Sequence, residues 1–335
     1  VPGVEVAARN SERPSWRVGN CTRSTARLIS RTDGHPAYGG TPSDASVIEA
    51  ITDLKARGLE VVLYPFVLMD VPAGNGLPDP YGGDEQPPLP WRGRITCHPA
   101  PGRSGSPDGT AAIASEIADF CGTTTPAHMH VSGQSVSWSG GDEGYRRMIL
   151  HHAALAIAAG GVDGFLIGSE LRGLTSLADE TGGFPFVDAL CDLAADVKAM
   201  LGPDTVVTYA ADWSEYWGHR PDDGSGDIRF HLDRLWAHEA VGAVAIDNYM
   251  PLSDWRDEDR EVGNPDGERH GADRAAFERA ITGGEGFDWY YASDGDRAAR
   301  LRTPISDGLE GKHWVYRVKD IRGWWQNLHY DRIGG

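Results

Sequence analysis

The stretch that decides the fold is GVDGFLIGSEL, residues 161–171. Its apolar run, 165–167, is followed by two small residues and then by a single carboxylate, Glu170. A short apolar run of this kind is typical of a strand that is buried on both faces, as in a parallel sheet. The sequence therefore predicts a buried strand whose end presents one acid.

Apolar strands and helices alternate on both sides of this stretch, which indicates parallel βαβ units. Two architectures fit that alternation, a doubly wound open sheet and a (β/α)8 barrel. Strands are predicted at residues 59–70, 162–170, 205–212 and 243–250. Helices are predicted at residues 44–58, 108–122, 142–161, 186–202 and 230–242, and near 273–282 and 313–327 within a charged loop region that begins at 251.

Polar and aromatic side chains gather directly after the predicted strands. In a barrel, the active site is built at these carboxyl ends of the strands, so the pattern favours the barrel. No GxGxxG or GxxxxGK[ST] motif follows a strand, which argues against a nucleotide-dependent enzyme. The candidate site residues at the strand ends are Tyr64, Asp70, Glu170, Asp212, Trp213, Asp247, Asn248 and Tyr249.

The overall charge limits the classes of ligand. The 335 residues carry a net charge of −18, whereas a nucleic-acid binder would present a basic face. A neutral substrate such as a sugar meets no electrostatic conflict with an acidic protein. No apolar run reaches the length of about 18 residues that a membrane span needs, and no signal-peptide pattern is visible at the start.

The residue types at the strand ends suit carbohydrate. A pyranose offers one C–H face to flat aromatic rings, while its hydroxyl groups bind carboxylates and amides. The segments 209–217 and 246–255 supply both kinds of group, and the chain has 11 Trp. For any one tryptophan, core packing is the simpler interpretation. For Glu170, the alternative is a structural carboxylate at a helix N-terminus.

Metal and thiol chemistry are not favoured by the spacing of the candidate ligands. His151 and His152 are adjacent in a predicted helix and point about 100° apart, so we expect packing or surface roles for the histidines, including His98, His128 and His130. The acidic loop residues Asp79, Asp84 and Glu85 lack EF-hand spacing. No cysteines form a CxxC pair, and Cys121 and Cys191 are predicted to be buried thiols. We expect neither a metal nor a cofactor.

Several segments together resemble one known family. GFLIGSELRGLT, TVVTYAADWSEYW, HLDRLWAHEAVGAVAIDNYMPLSDW and GKHWVYRVKDIRGWWQNLHYDR are similar to the TIM-barrel-like domain of phage tail and gene-transfer-agent tail-tip (baseplate hub) proteins. YPFVLMDVP and PWRGRITC fit the same family. The resemblance implies an α/β, (β/α)8 TIM-barrel-like fold over residues 1–335, with loop excursions at 72–107 and 251–312. It also implies a likeness to glycoside hydrolases.

The resemblance assigns roles to individual residues. Glu170 matches the general acid/base that ends the fourth barrel strand, Asp247 and Tyr249 match a segment that lines the sugar site, and Trp213 would lie nearby. Related hydrolases take a nucleophile from a Glu that closes the seventh strand. No apolar strand ending in Glu follows residue 250, and the contexts of Glu285 and Glu310 are loop-like. We therefore expect the second carboxylate, and the last strands, beyond residue 335 in a longer polypeptide. The alternative is a divergent barrel whose second acid lies elsewhere.

The resemblance further implies partners and a location. The expected ligand is a bacterial cell-surface glycan or peptidoglycan, and the expected protein partners are other tail and baseplate proteins, with no nucleic acid and no membrane span. The protein would be made in the bacterial cytoplasm without a signal peptide and would act in the virion, at the tail tip. The alternative is a catalytically inactive structural or glycan-binding module.

Overall fold

The computed structural model describes residues 5–6, 16–140 and 142–334. The chain divides into two compact units. Unit 1 comprises Val1–Asp212, Asp222–Gly224 and His231–Ala245, and unit 2 comprises Trp213–Pro221, Ser225–Phe230 and Ile246–Gly335. The strand-end residues of the predicted site are therefore divided between two units.

Most strands are short. They are β1 Glu5–Val6, β2 Arg17–Val18, β3 Cys21–Thr22, β4 Arg27–Leu28, β5 Arg31–Thr32, β6 His35–Pro36, β7 Val62–Leu63, β8 Met129–Ser132, β9 Ser135–Trp138, β10 Gly164–Ser169, β11 Val206–Asp212, β12 Ala245–Asp247, β13 Trp289–Tyr290 and β14 Thr303–Pro304.

The helices fall into a few long ones and several single turns. They are α1 Asp44–Ala56, α2 Ala112–Cys121, α3 Tyr145–Ala158, α4 Arg172–Thr175, α5 Pro185–Leu201, α6 Asp233–Trp236, α7 Asp259–Val262, α8 Arg274–Ala280, α9 Asp294–Ala299 and α10 Ile321–Gln326. Three 3-10 turns occupy Arg92–Arg94, Pro126–His128 and His313–Tyr316. Among the described residues, no helix has the length and apolar character needed to cross a membrane.

The central sheet has four strands in the order β12-β11-β10-β7. Strand β10 pairs in parallel with both of its neighbours, and its register aligns Gly164 with Val62 and with Val206. All six residues of β10 are buried, as the apolar run predicts. The α/β prediction with a parallel sheet is confirmed, and the sheet that these strands form is not a closed barrel.

Two long helices bury the central strand. Helix α3 contributes Leu150 and Leu155, and α5 contributes Leu190 and Leu193, all of which are 1% exposed or less. Both helices pack against β10 and against each other. Burying each leucine stabilises the fold by about 1.5–3 kcal/mol, which makes this the principal apolar core of unit 1.

Several element predictions are wrong in extent. The strand predicted at 59–70 shrinks to β7, because Pro65 has no N–H for the ladder and the chain beyond it is irregular. The helix predicted at 230–242 is only the single turn α6. The helix predicted near 313–327 is split, because the Asp320 side chain caps a new helix by accepting the Gly323 N–H at 2.7 Å.

Two stretches outside the predicted strands contain regular structure. Residues 129–138 form the antiparallel hairpin β8–β9, whose register pairs His130 with Ser137. The charged region after residue 251 contains α7, α9 and the antiparallel pair β13–β14. Its elements are too short to leave a periodic pattern in the sequence.

Unit 2 contains a buried cation, Lys319. The residue is 5% exposed, and its Nζ donates hydrogen bonds to the carbonyl oxygens of Pro251 and Gly283, each at 2.8 Å. Burial lowers the pKa of Lys319 to about 8, and the nearby carboxylates of Glu285 and Asp288 oppose that shift. The ammonium therefore joins two loops of unit 2 at a cost in desolvation.

We predict a pH-dependent stability difference between the wild type and Lys319→Met. Between the folded pKa of about 8 and the ordinary value of 10.5, the unfolded chain binds more protons than the folded one. The wild type therefore gains stability relative to the variant as the pH rises through this window, by at most about 3 kcal/mol. Urea unfolding at pH 7.5 and pH 10 measures this gain. Lys55→Met serves as the control. An equal change in the free energy of unfolding between the two pH values, for wild type and for Lys319→Met, would contradict the prediction.

A second prediction concerns Gly168, which immediately precedes Ser169 and Glu170. A Cβ at this position would lie 2.2 Å from the Tyr145 hydroxyl oxygen. Because that hydroxyl is fixed by a 2.8 Å hydrogen bond to the Ile167 carbonyl, Gly168→Ala should lower the free energy of unfolding by about 1–3 kcal/mol. Gly39→Ala is the matched control, since a Cβ there meets nothing within 4 Å. Equal urea midpoints for the two variants would show that the core adapts.

Candidate functional site at the end of the central strand

Glu170 directly follows β10 and has an unusual backbone. Its φ is +51°, in the left-handed region that residues other than glycine rarely occupy. Its N–H donates to the Ala210 carbonyl at 2.9 Å, which ties the residue to the neighbouring strand β11. Such conformations cost about 1–3 kcal/mol and concentrate at functional sites. Because Glu170 combines this conformation with its place at the end of the central strand, it is a candidate functional residue.

The Glu170 side chain is held by two residues from a distant loop. The Trp91 indole Nε1–H donates to Oε2 at 2.6 Å, and Nη2 of Arg92 lies 3.0 Å from the same oxygen. The Arg92 and Glu170 side chains are only 16% and 6% exposed. The carboxylate is thus buried but balanced by a cation and a hydrogen-bond donor, which a buried charge requires.

Arg92 also binds the residue before the acid. Its Nε donates to the Ser169 carbonyl oxygen at 3.0 Å, and its Nη2 donates to the Ser169 hydroxyl oxygen at 2.8 Å. Tyr64 donates its hydroxyl hydrogen to the same Ser169 oxygen. The Arg92 guanidinium lies 4.9 Å from the centre of the Phe66 ring. We call Tyr64, Phe66, Trp91, Arg92, Ser169 and Glu170 the Glu170 network.

Two glycines allow the loop to reach this position. Trp91 and Arg92 stand at the start of the 3-10 turn, where a Cβ on Gly93 would lie 2.3 Å from the Trp91 ring. A Cβ on Gly173 in α4 would lie 2.5 Å from the Ile95 carbonyl oxygen. The turn therefore packs backbone to backbone on the helix that follows Glu170.

Trp91 presents an aromatic surface beside the acid. Its side chain bonds Glu170 through the indole nitrogen, yet the residue is 41% exposed. An indole that is anchored at one edge and exposed elsewhere offers a rigid apolar platform to a ligand. The site thus combines one carboxylate with one accessible aromatic ring.

The other predicted residues of unit 1 have different surroundings. Tyr64 belongs to the Glu170 network. Asp70 does not, because its carboxylate accepts the Ser30 N–H at 2.9 Å and the Ser30 hydroxyl. Asp212 ends β11, the strand beside β10, and is 6% exposed. Asp70 thus anchors the N-terminal part of the described chain, and Asp212 is the second carboxylate at this edge of the sheet.

The predicted residues of unit 2 form a small group of their own. The Trp213 N–H donates to the Asp247 carbonyl oxygen at 3.1 Å, so these two residues are neighbours. Asn248 accepts the Met250 N–H at 2.9 Å and shapes a turn. Tyr249 is 72% exposed. This turn leaves an aromatic side chain open to solvent.

Trp91 and Arg92 were not among the residues predicted for the site. They lie in the excursion predicted at 72–107, which is polar and rich in proline, and PWRGRITC entered only as a segment of the resemblance. The one sequence feature that could have suggested them is the Trp-Arg-Gly tripeptide, because an indole N–H and a guanidinium can both bind a carboxylate from another part of the chain. Nothing in the sequence pairs them with a residue 79 positions away.

The histidines and cysteines have contacts within the protein. His151 and Asp44 form a buried pair at 2.8 Å, and His130 lies 2.8 Å from the Ser139 hydroxyl. Across residues 16–140 and 142–334, no three His, Cys, Asp or Glu side chains are grouped as a metal site would require. Cys121 and Cys191 are buried free thiols, as predicted, and burial raises the pKa of both to about 11.

The comparisons with known proteins define the class. Residues 143–335 match the family described as the GTA TIM-barrel-like domain, and the chain belongs to this family. The fold is therefore TIM-barrel-like, in agreement with the parallel sheet. The matched region contains Glu170, Asp212 and the predicted residues of unit 2, whereas Trp91 and Arg92 lie before it.

One solved structure that is similar to this chain is a GH113 beta-1,4-mannanase. It shares 20% sequence identity at a TM-score of 0.33, over 66% of this chain and 46% of the mannanase chain. The chain thus spans under half the length of that structure. No curated protein matches this chain.

We predict that Arg92→Met strongly destabilises unit 1. The variant leaves the Glu170 carboxylate buried without its cation, which typically costs about 3–5 kcal/mol. Urea unfolding measures the loss. In a Glu170→Gln background the same substitution should cost much less, because no charge remains to be balanced.

A matched control separates burial from charge. Arg57 pairs with Asp53 at 2.8 Å on the exposed face of α1, so Arg57→Met should change the unfolding midpoint little. Equal losses for Arg92→Met in the wild-type and Glu170→Gln backgrounds would show that Arg92 acts through packing alone.

Proposed function

We propose that this domain is a glycoside-hydrolase-like module of a phage-type tail protein, which acts on a bacterial cell-envelope polysaccharide or peptidoglycan during host attachment and penetration. The observation that carries the proposal is the arrangement at Glu170. A strained strand-end carboxylate shares one oxygen with an arginine and with an exposed tryptophan. An acid next to an exposed aromatic ring is the pairing that a sugar site needs.

Glu170 takes the role of general acid/base. It donates a proton to the glycosidic oxygen as the bond to the anomeric carbon breaks. With retention, a second carboxylate attacks the anomeric carbon, and Glu170 then takes a proton from the water that hydrolyses the glycosyl–enzyme bond. With inversion, the second carboxylate takes the proton from the attacking water, and Glu170 acts only as the acid. The resemblance implies that this second group closes the seventh barrel strand. Asp212, at the end of the adjacent strand, is the candidate within unit 1.

In unit 1 the groups that would hold a sugar beside Glu170 are the exposed Trp91 ring and the Tyr64 hydroxyl. In unit 2 the sugar-binding roles proposed for Trp213, Asp247, Asn248 and Tyr249 rest on the resemblance, and the exposed Tyr249 ring is an aromatic surface of that unit. Flat rings bind the C–H face of a sugar, and amides and carboxylates bind its hydroxyl groups.

The tail-tip location rests on family membership and on the segments quoted for the resemblance. The partners proposed there are other tail and baseplate proteins. Neither enters the chemistry at Glu170, so the catalytic proposal is tested independently of the location.

One observation favours a second candidate, a glycan-binding or structural module without catalysis. Arg92 lies within ion-pair distance of Glu170 in a buried setting, and a nearby cation favours the charged form of a carboxylate. A general acid must carry a proton before the bond breaks. A carboxylate that forms an ion pair with Arg92 can instead have a structural role, which is to hold the loop that contains Trp91 in place.

The deciding experiment measures the release of reducing ends from peptidoglycan and from a panel of bacterial polysaccharides. Loss of a general acid typically lowers the rate 10²–10⁴-fold, so we expect a fall of about that size in Glu170→Gln. Glu116→Gln, an exposed acid on α2, is the matched control and should keep the wild-type rate. A wild-type rate in Glu170→Gln would remove Glu170 from the mechanism.

Binding assays distinguish the second candidate. If no substrate releases reducing ends while a glycan still binds, the module recognises sugar without cleaving it. In that case Trp91→Ala should weaken binding, whereas Trp325→Ala, which truncates an exposed tryptophan of unit 2, should not. Equal affinity in both variants would exclude the Trp91 ring from the sugar site.

A further inference from the structure

Unit 2 contains a cavity of about 260 Å³ that is partly open to solvent and has no role in the proposed glycan chemistry. Its walls come from the loop that begins at Pro251, from residues 266–268, from α8 and the loop after it, and from Lys319. Carboxylates and cations both line it. Which of these charges are already balanced within the protein determines what the cavity can bind.

Most of the acids in the wall have a partner. Asp254 and Asp266 both pair with Arg302, at 3.0 Å and 2.6 Å. Glu285 pairs with Arg297 at 2.5 Å. Both arginines stand outside the cavity lining, and Arg302 is shared by two of the acids. The charged lining residues that remain are Glu268, Asp288, Arg279 and Lys319.

Glu268 is the exception among the buried acids. It is 8% exposed, and its carboxylate accepts the Ser253 hydroxyl at 2.6 Å and the Asp254 N–H at 3.3 Å. In the described part of the chain, no cation lies within ion-pair distance of it. A buried carboxylate with hydrogen bonds but no counter-charge is complementary to a cationic group from outside.

The two cations that line the cavity, Lys319 and Arg279, differ in whether other residues bind them. Lys319 is bound to two carbonyl oxygens, and Asp288 and Glu285 are its neighbouring carboxylates. Arg279, on α8, is exposed and makes no hydrogen bond or ion pair with any described residue. Lys319 and Asp288 also form no ion pair with a described residue, but Lys319 is bound to carbonyl oxygens and Asp288 accepts the Gly284 N–H at 2.8 Å. Among the described lining residues, Glu268 is thus the buried carboxylate without a cation, and Arg279 is the guanidinium without a carboxylate.

We propose that this cavity binds a small zwitterion, namely an α-amino acid or the amino-acid end of a peptide. The ammonium of the ligand binds the Glu268 carboxylate, and its carboxylate binds the Arg279 guanidinium, which suits planar bidentate pairing. The cavity lies just below the ~300–1,000 Å³ of sites for drug-sized ligands, so it has room for a single amino-acid unit. A ligand with only one charge would satisfy only one of the two groups.

The test is a calorimetric titration of the whole chain with glycine and with D- and L-alanine. Methylammonium and acetate supply each charge alone, and glucose supplies a neutral polyol. We expect at least one zwitterion to bind tenfold or more tighter than any of these three probes. No zwitterion binding at millimolar concentration, or glucose binding as tightly as the zwitterions, would overturn the proposal.

Variants assign the two contacts. Glu268→Gln keeps an acceptor for Ser253 and removes the charge, and Arg279→Gln removes the cation, so each should weaken zwitterion binding at least tenfold. The controls are Glu278→Gln and Arg274→Gln, which break an exposed pair of 2.8 Å on the same helix outside the cavity. Thermal unfolding verifies that all four variants fold. Wild-type affinity in Glu268→Gln or in Arg279→Gln would refute the assignment.

The dipeptide Gly-Gly distinguishes the two sources of the ligand. Its ammonium and carboxylate are farther apart than those of glycine, so tighter binding of Gly-Gly identifies a peptide end. Tighter binding of glycine identifies a free amino acid. Because the readout is binding in unit 2, a failure here leaves the catalytic role of Glu170 untouched, and the reverse also holds.

Discussion

The buried pair between Arg92 and Glu170 is the interaction on which the rest of the site depends. It joins a proline-rich loop to the end of the central strand, and without it a carboxylate would stand desolvated at the centre of unit 1. The same arginine fixes Ser169 through two hydrogen bonds. The strained backbone of Glu170 is therefore stabilised by contacts to the residue before it, to its own side chain and to β11.

This dependence explains what the sequence could reveal. The apolar run of β10 and the helical periodicity of α3 and α5 are local signals, so the buried strand, its two covering helices and the acid at its end were predicted from the residues. The partners of that acid were not, because they come from a segment without periodicity some 79 residues away. Only tertiary packing on Gly93 and Gly173 brings that segment to the strand.

The same reasoning accounts for the region after residue 251, which was predicted mainly as charged loop. Its order comes from arginine–carboxylate pairs such as Arg300–Asp259 at 2.6 Å, with short elements between them. Ion pairs leave no periodic trace in a sequence, since a charged residue in a loop looks the same whether it is paired or solvated. The sequence shows that the region is rich in charged residues, and only the structure shows which of them form pairs.

Ion pairing also affects which ligands an acidic protein can bind. The chain carries 49 acidic and 31 basic side chains, yet several buried or half-buried acids are paired with arginine. Matched pairs present little net field to a ligand, so the large negative charge does not exclude a neutral sugar at Glu170. Specific recognition then falls to the few groups that remain unmatched. In unit 1 the exposed Trp91 ring is open to a ligand, and in unit 2 Glu268 and Arg279 have no ion-pair partner among the described residues, so the ligands that we propose for the two units differ in chemistry.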